Sequence, residues 1–471
     1  PEEEENITEL IEKANQDETA LLTLVQHLRT DLEVEKVTFD KVLAALPQDG
    51  GLIEYRMFSP VDFKTGDLGE HHLAALLLFG DPEAKRRFIF RDLGPLAEIG
   101  KLMDDLDAVR TNIKLLRDKI EKNREEKDIA AFRKQFKEAD RLNTAVCRKA
   151  LAPLENQIKN LKQLYIAPDG RLNLLSFASM RLPDGRFLAE RQQINRLQTG
   201  RDLLEDKEDV PAGKGMVAIG GVNYGPLSKT AEQINLHQLV TRFKGAARQL
   251  EDGFIKLPAS RREVKNIFAK YKNNTQGKRF IGDDASEYNL KHLKQPPRIL
   301  HLSTHGFYLS DDKNELADEA PLLLSGLALA GANNGLQGKP DKHGDDGLLY
   351  SLEVLGLNLQ GTELVSLSAC NTGKGVVDYS EGVYGLVRAF RTAGAQNVLM
   401  TLTPVGDKSS REFMETFYDN WLYPDDPEKK WFDGNKRSAR TPAEALHQTR
   451  LEFIHDGRPV KDWSPYVMVG R

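Results

Sequence analysis

The sequence is poor in cysteine, which limits the chemistry it can carry. Its 471 residues contain two cysteines, Cys147 and Cys370, and this number excludes a disulfide framework and a zinc site of four thiolates. Cys147 lies in a charged helical stretch without a cysteine partner at metal-ligand spacing, so we interpret it as structural. A reducing compartment suits a free thiol, and we therefore expect a cytoplasmic protein in which Cys370 is the candidate for thiol chemistry.

The sequence also lacks long apolar runs and a strong excess of charge of one sign. Its longest apolar runs, such as residues 322–332, are far shorter than the roughly 20 residues that cross a bilayer, and it shows no signal peptide. The 66 basic and 71 acidic residues leave a net charge of −5, without the basic footprint of nucleic-acid binding. We expect neither a membrane nor a direct nucleic-acid partner.

Two apolar runs that end in reactive side chains stand out. Residues 299–305 (ILHLSTH) end in His305 and residues 364–370 (LVSLSAC) end in Cys370, and each run leads into a glycine-containing loop. Strands of a parallel sheet covered on both faces are continuous apolar runs whose carboxyl ends open onto loops that carry chemistry. A catalytic thiol needs an imidazole to take its proton. The pattern predicts a cysteine nucleophile with a histidine base, and Gly306 and the Cys370 amide are candidate oxyanion donors.

The residues around this pair resemble a known family, the CHAT domain. The motifs HLSTHG (301–306), SLSACNTG (366–373), EGVYGLVRAFRTAGAQNV (381–398) and WSPYVMVG (463–470) carry the likeness, which extends over roughly residues 45–470 and is strongest after 295. This family is a branch of the caspase-like cysteine peptidases, is related to separase and is often linked to tetratricopeptide repeats. The resemblance implies His305 as general base, Cys370 as nucleophile, oxyanion amides from Gly306 and Cys370, and no metal or organic cofactor.

Other interpretations of the same residues are weaker. His301 and His305 have the spacing of a two-histidine metal site, but that spacing works on a helix, and on a strand the two residues lie roughly 13 Å apart. We therefore interpret His301 as a core residue. The glycines of residues 213–225 and the Gly338-Lys339-Pro340 sequence do not follow a phosphate-loop pattern, so we expect no nucleotide site.

The pattern of helices and strands predicts an α/β protein in three parts. Residues 1–45 are predicted to form a helical N-terminal segment. Residues 46–205 form an inactive caspase-like domain, a pseudo-protease by resemblance, with two long helices within about 96–163 that break near 123–128. Residues 206–471 form the active domain, whose caspase-like, mostly parallel sheet is flanked by helices. In it we expect Ser260 and Glu263 to form a capping box, and residues 331–346 to be a substrate-dependent, disordered loop.

The resemblance also suggests where the substrate side chain binds. It places the pocket at Ser368, Thr403, Asp407 and Arg411, with residues 221–224 at the end of the domain's first strand. A neutral Ser368 disfavours cleavage after basic residues, and Arg411 would favour an acidic side chain through a charge-assisted contact. Asp407, by its negative charge, would instead disfavour an acidic side chain. An equally good interpretation is that Arg411 simply lies on the surface of a helix without contacting the substrate.

These observations predict a regulated cysteine endopeptidase that cleaves a specific protein. The resemblance suggests prokaryotic defence or programmed cell death, with a gasdermin-like protein or another effector as substrate. Because the chain begins with Pro1 rather than methionine, we expect it to be part of a longer protein with an upstream repeat domain or regulatory partner. Two alternatives stay open: a catalytically latent protein-interaction module with the same fold, and acyl transfer to an amine instead of water.

Overall fold

A computed structural model describes most of the chain. The described residues are 37–84, 86–123, 125–204, 210–227, 253–271, 276–308, 325–368, 379–403, 405–423 and 440–470. Cys370 and residues 1–36 lie outside them, as does most of the predicted N-terminal helical segment. Among the described residues, no helix has the length and apolar character needed to cross a membrane.

Fourteen strands in the described residues form two sheets. They are β1 (Gly50–Phe58), β2 (His72–Phe79), β3 (Phe88–Pro95), β4 (Gln163–Ala167), β5 (Gln193–Arg196), β6 (Met216–Val222), β7 (Lys278–Gly282), β8 (Ile299–Ser303), β9 (His305–Tyr308), β10 (Ser325–Ala328), β11 (Leu348–Tyr350), β12 (Leu364–Leu367), β13 (Asn397–Thr401) and β14 (Tyr466–Gly470). The large sheet has the order β3-β2-β1-β4-β5-β14-β13-β12-β8-β6-β7, and the small one has the order β11-β10-β9. Seven of the ten pairings in the large sheet are parallel, which confirms the mostly parallel α/β architecture.

The strands of both predicted caspase-like units belong to the same sheet. β5, from the first unit, pairs in parallel with β14, from the second, with Val469 opposite Arg196. The boundary near residue 205 therefore separates segments of one continuous sheet, and the first unit as a separate pseudo-protease domain stays a prediction.

Helices cover the sheet on both faces. The described α-helices are α1 (Phe39–Ala45), α2 (Leu96–Asn123), α3 (Glu126–Leu151), α4 (Glu155–Ile158), α5 (Leu188–Arg191), α6 (Pro258–Lys270), α7 (Glu287–Lys291), α8 (Ala332–Gly335), α9 (Ser351–Val354), α10 (Tyr379–Thr392), α11 (Asp407–Leu422) and α12 (Pro442–His455). The long helices α2 and α3 match the predicted pair, and the break between them falls where the charged sequence suggested it. Cys147 of α3 is fully buried in a core that it shares with residues of β1 and β2. Burial raises the pKa of its thiol, so Cys147 is structural, as predicted.

The strand β8 lies between two apolar layers. Leu300 and Leu302 pack in one core with Val387 of α10, whereas Ile299 packs in the other with Val264 of α6. Because successive side chains of a strand point to opposite faces, both faces of β8 are buried. This explains why most residues of β8 are apolar. The carboxyl end of this buried strand leads to His305.

Two local expectations were wrong. Helix α6 begins at Pro258, with Leu257 at its N-cap, so Ser260 lies inside the first turn and its hydroxyl bonds to the strands instead of capping the helix. Residues 331–346 are ordered: they form α8 and a series of turns held by backbone hydrogen bonds. Asn333 in α8 is 2% exposed, so α8 packs into the interior, whereas the turns at residues 338–344 are exposed.

Candidate active site

His305 lies where the chain passes from the large sheet to the small one. β8 ends at Ser303, and His305 is the first residue of β9, where it pairs with Ala328 of β10. The prediction that His305 closes the main-sheet strand was therefore two residues too long. The residue is 3% exposed, so it is almost completely buried.

The imidazole of His305 is oriented by a backbone carbonyl. Its Nε2 lies 2.7 Å from the carbonyl oxygen of Ile255. A carbonyl oxygen only accepts, so Nε2 carries the proton in this hydrogen bond, and Nδ1 of the neutral ring is the atom with a free lone pair. Burial lowers the pKa of His305, and the hydrogen bond to Ile255 partly opposes that effect. The ring is therefore suited to accept a proton at neutral pH.

Two aromatic rings lie beside the imidazole. The ring centroids of Tyr224 and Phe254 are 5.2 and 5.7 Å from that of His305. Tyr224 follows β6, within the segment that the sequence assigned to the substrate pocket, and its ring contacts His305. Phe254 precedes Ile255, so one short segment supplies both an aromatic ring and the orienting carbonyl.

The hydroxyl of Tyr224 belongs to a hydrogen-bond chain beneath His305. Thr304 Oγ1 donates to the carbonyl of Ala328 over 2.5 Å, and Tyr224 Oη lies 2.9 Å from Thr304 Oγ1. Since the proton of Thr304 is used on Ala328, the Tyr224 hydroxyl donates to Thr304. The chain thereby ties the start of β9 to β6 and β10.

Ser260 connects the ends of the two strands that precede the site. Its Oγ accepts from the amide of Gly221 over 2.9 Å and donates to the carbonyl of Ser303 over 2.5 Å. Gly221 is in β6 and Ser303 is the last residue of β8. Sequence reasoning missed this role because Ser260 matched a helix-capping pattern so well.

The strand that leads to Cys370 lies directly beside β8. Leu367 of β12 pairs with Leu302, and the amide of Ser368 donates to the Leu302 carbonyl over 2.9 Å. Cys370 follows Ser368 by two residues in the sequence, but it lies outside the described residues. The strands that lead to His305 and Cys370 are thus neighbours, and their carboxyl ends lie at the same edge of the sheet. A contact between the two side chains stays a prediction.

The predicted pocket residues are distributed around the start of α11. Ser368 is 5% exposed, and its Oγ lies 3.2 Å from that of Ser410 in α11. Arg411 is next in the helix, half-buried, and its Nε has no hydrogen-bond partner in the described part of the chain. Asp407 is the first residue of α11 and Thr403 follows β13, half-buried. Ser368 thus lies beside the helix turn that carries Arg411, and the role of these residues as a substrate pocket stays a prediction.

Two other predicted residues have clear positions. Gly306 lies in β9 opposite Leu327, and its role as an oxyanion donor stays a prediction. His301 is completely buried on β8, where its Nε2 is 3.0 Å from Glu263 Oε1 and its Nδ1 is 3.2 Å from the Tyr418 hydroxyl. His301 is a core residue, as expected.

Comparison with known proteins identifies the family. The model of the CHAT domain matches residues 140–471. The chain belongs to the CHAT domain family. The resemblance inferred from the HLSTHG and SLSACNTG motifs is thereby confirmed, and the match includes His305, Cys370 and all the strands from β4 onward.

Two further proteins are similar to parts of this CHAT protein. Tetratricopeptide repeat protein 28 of Mus musculus is 32% identical over 124 residues, which is 26% of this chain and 4% of the mouse protein. The crystal structure of the Arg-specific cysteine proteinase gingipain R is 11% identical with a TM-score of 0.36, covering 70% of this chain and 67% of the gingipain chain.

Proposed function

We propose that the protein is a cysteine endopeptidase in which His305 activates Cys370. The observation that carries this proposal is the hydrogen bond from His305 Nε2 to the Ile255 carbonyl. It leaves Nδ1 as the proton acceptor, at the exit of the strand that neighbours the one leading to Cys370. Membership of the CHAT family supports the same assignment of roles.

The reaction would follow the general scheme of thiol acyl transfer. His305 Nδ1 takes the proton of the Cys370 thiol, and the sulfur attacks the scissile carbonyl carbon. The tetrahedral oxyanion is held by the amides of Gly306 and Cys370. When it collapses, the peptide C–N bond breaks and the imidazolium returns its proton to the leaving amine. Water, deprotonated by His305, then hydrolyses the thioester and restores the thiol.

The pocket for the side chain before the cleaved bond would be formed at the N-terminal end of α11. Ser368, Thr403, Asp407 and Arg411 are its predicted residues, and the Ser368–Ser410 contact supports the proximity of the first and the last. Arg411 has a half-buried guanidinium whose Nε lacks a partner among the described residues. A substrate carboxylate beside this guanidinium would form a charge-assisted hydrogen bond with it. We therefore propose a preference for an acidic side chain at this position.

The biological setting that we propose is regulated cleavage of one protein substrate in the cytoplasm. Prokaryotic defence or programmed cell death, with a gasdermin-like or other effector as substrate, is the setting that the resemblance suggests. A repeat domain or regulatory partner would supply the activating signal. The chain has a net charge of −5 and no excess of basic residues. We therefore propose a protein rather than a nucleic acid as its partner.

The decisive test is covalent labelling with a thiol-directed peptide probe, together with a cleavage assay. We expect label on Cys370 in the wild type, none in Cys370→Ala, and strongly reduced labelling in His305→Ala. Cys147→Ala is the matched control, because the buried Cys147 thiol, with its raised pKa, contributes no label. Retained cleavage in a folded Cys370→Ala variant would refute the proposal. An inert but folded wild type, tested with its partner present, would favour the interaction module.

A further inference from the structure

The segment that orients His305 is itself held by a buried asparagine. Asn333 Oδ1 accepts from the amide of Phe254 over 2.7 Å, and Nδ2 donates to the carbonyl of Phe254 over 3.0 Å. The asparagine side chain thus pairs with both backbone polar groups of one residue, as a neighbouring strand would. The next residue is Ile255, whose carbonyl accepts the hydrogen bond from the His305 imidazole.

The same side chain reaches the other aromatic neighbour of the base. Asn333 Nδ2 also donates to the carbonyl of Gly225 over 3.1 Å, and the Asn333 amide donates to the carbonyl of Tyr224 over 2.7 Å. Both donor hydrogens of the side-chain amide are therefore used, and its oxygen accepts one hydrogen bond. The orientation of the amide is fixed by its partners, because the Phe254 amide only donates and the two carbonyls only accept. Asn333 holds both segments that flank the imidazole.

The approach of Phe254 to Asn333 depends on a glycine. Gly253 has a φ of +64°, and a Cβ on this residue would lie 2.7 Å from Asn333 Oδ1. That distance is shorter than real Cβ contacts, so a larger residue would push the segment away from the asparagine. Residues 253–257 are neither helix nor strand. Their position relative to His305 depends on side-chain contacts such as these.

We infer that Asn333 is a positioning residue that fixes the orientation and tautomer of His305 through the Phe254–Ile255 segment. This inference rests on the proposed function only for its catalytic consequence. Without the asparagine amide, the Ile255 carbonyl loses its fixed position, and the imidazole loses the acceptor that keeps the proton on Nε2. A misplaced base lowers the rate of the chemical step, whereas the residues that bind the substrate are unchanged.

The test is nitrogen NMR of selectively ¹⁵N-histidine-labelled protein, with His305→Gln used to assign the signal. In the wild type we expect a protonated Nε2 and an unprotonated, pyridine-like Nδ1. In Asn333→Ala we expect exchange between the two tautomers, with a changed titration midpoint. Asn333→Ser, which keeps one hydroxyl in place of the amide, should lie between them and serves if the alanine variant does not fold. Lys342→Ala is the control, because Lys342 is an exposed residue of the turn that follows α8.

Kinetics provide the second measurement. Asn333→Ala should lower kcat by up to about a hundredfold with little change in KM, because misplacement of a catalytic group by about an ångström has effects of this size. An unchanged His305 tautomer and titration in a folded Asn333→Ala variant would overturn the inference. So would a wild-type ring protonated on Nδ1. Since the NMR measurement needs no turnover, it stays decisive for Asn333 even if the protein cleaves nothing.

Discussion

The imidazole of His305 donates its Nε2 proton to the carbonyl of Ile255, 50 residues earlier in the chain, over 2.7 Å. A backbone carbonyl thus takes the place that a carboxylate occupies in many catalytic triads. A carbonyl orients the ring without adding a negative charge. Burial therefore remains the main influence on the pKa of His305, and lowers it.

The first prediction concerns the pH dependence of cleavage. Because burial places the pKa of His305 below its ordinary value of 6.5, the base stays neutral to lower pH than a free histidine. The value of kcat/KM for cleavage should therefore not yet decline as the pH falls through 6.5, and its acidic decline should be centred at a lower pH. An acidic limb centred above pH 6.5 would contradict the buried environment described here.

The lowered pKa of His305 also predicts how the free energy of unfolding depends on pH. Below about pH 6.5 the unfolded chain binds a proton at this histidine and the folded protein does not, so acidification through this range lowers the free energy of unfolding. His305→Gln removes that contribution, and its stability should fall less between pH 6.5 and pH 5. Urea unfolding at several pH values measures the difference. An identical slope in both proteins would show that His305 titrates normally.

A pair of tyrosine substitutions tests the hydrogen-bond chain beneath the base. Tyr224→Phe removes the buried hydrogen bond between its hydroxyl and Thr304, and a hydrogen bond of this kind contributes about 0.5–1.5 kcal/mol to stability. Tyr350 is the matched control: it is 8% exposed in the same core, and its hydroxyl has no partner among the described residues. Tyr350→Phe should be neutral or slightly stabilising. Equal effects of the two changes on thermal unfolding would contradict this assignment.

The carboxylate of Glu287 predicts a second, opposite pH effect on stability. Burial and the nearby Glu353 raise its pKa to about 7, against the pull of Lys291, whose Nζ is 2.7 Å from Glu287 Oε2. Between pH 4.5 and 7 the folded state therefore holds a proton that the unfolded state releases, so this group makes the protein less stable as the pH rises. Glu287→Gln should flatten that slope in urea unfolding, whereas the exposed Glu83→Gln should leave it unchanged.

The proposed acidic preference can be tested at Arg411. Arg411→Ala should reduce cleavage after acidic residues in a peptide library by about tenfold or more, since a charge-assisted hydrogen bond contributes roughly 1.5–3 kcal/mol. Lys408→Ala is the control on the same helix, because the Lys408 side chain is 82% exposed. Strict cleavage after lysine or arginine in the wild type would exclude the proposed role of Arg411.

The sequence contained enough information for the sheet that carries the site. The runs at 299–303 and 364–367 are mostly apolar because each strand is buried on both faces, and such runs are recognisable without a structure. The long helices α2 and α3 were equally clear, since charged helical periodicity sustained over more than 20 residues is typical of a long helix.

The supporting contacts of His305 could not be predicted in the same way. Ile255 acts through its carbonyl, which every residue possesses, so no residue type marks it. Asn333 acts on a segment about 80 residues away, and asparagine at a helix turn ordinarily serves the local backbone. Ser260 matched the local pattern of a helix N-cap, but its hydroxyl instead forms long-range hydrogen bonds with Gly221 and Ser303.

The central position of β14 has a consequence for how the protein is made. This strand, Tyr466–Gly470, lies between β5 and β13, so it joins two sets of strands that were synthesised long before it. Until residue 470 has left the ribosome, each half presents an unpaired strand edge where the other will attach. The two sets of strands are thus joined only when β14 is available, and deletion of Tyr466–Gly470 would leave them unjoined at the middle of the sheet.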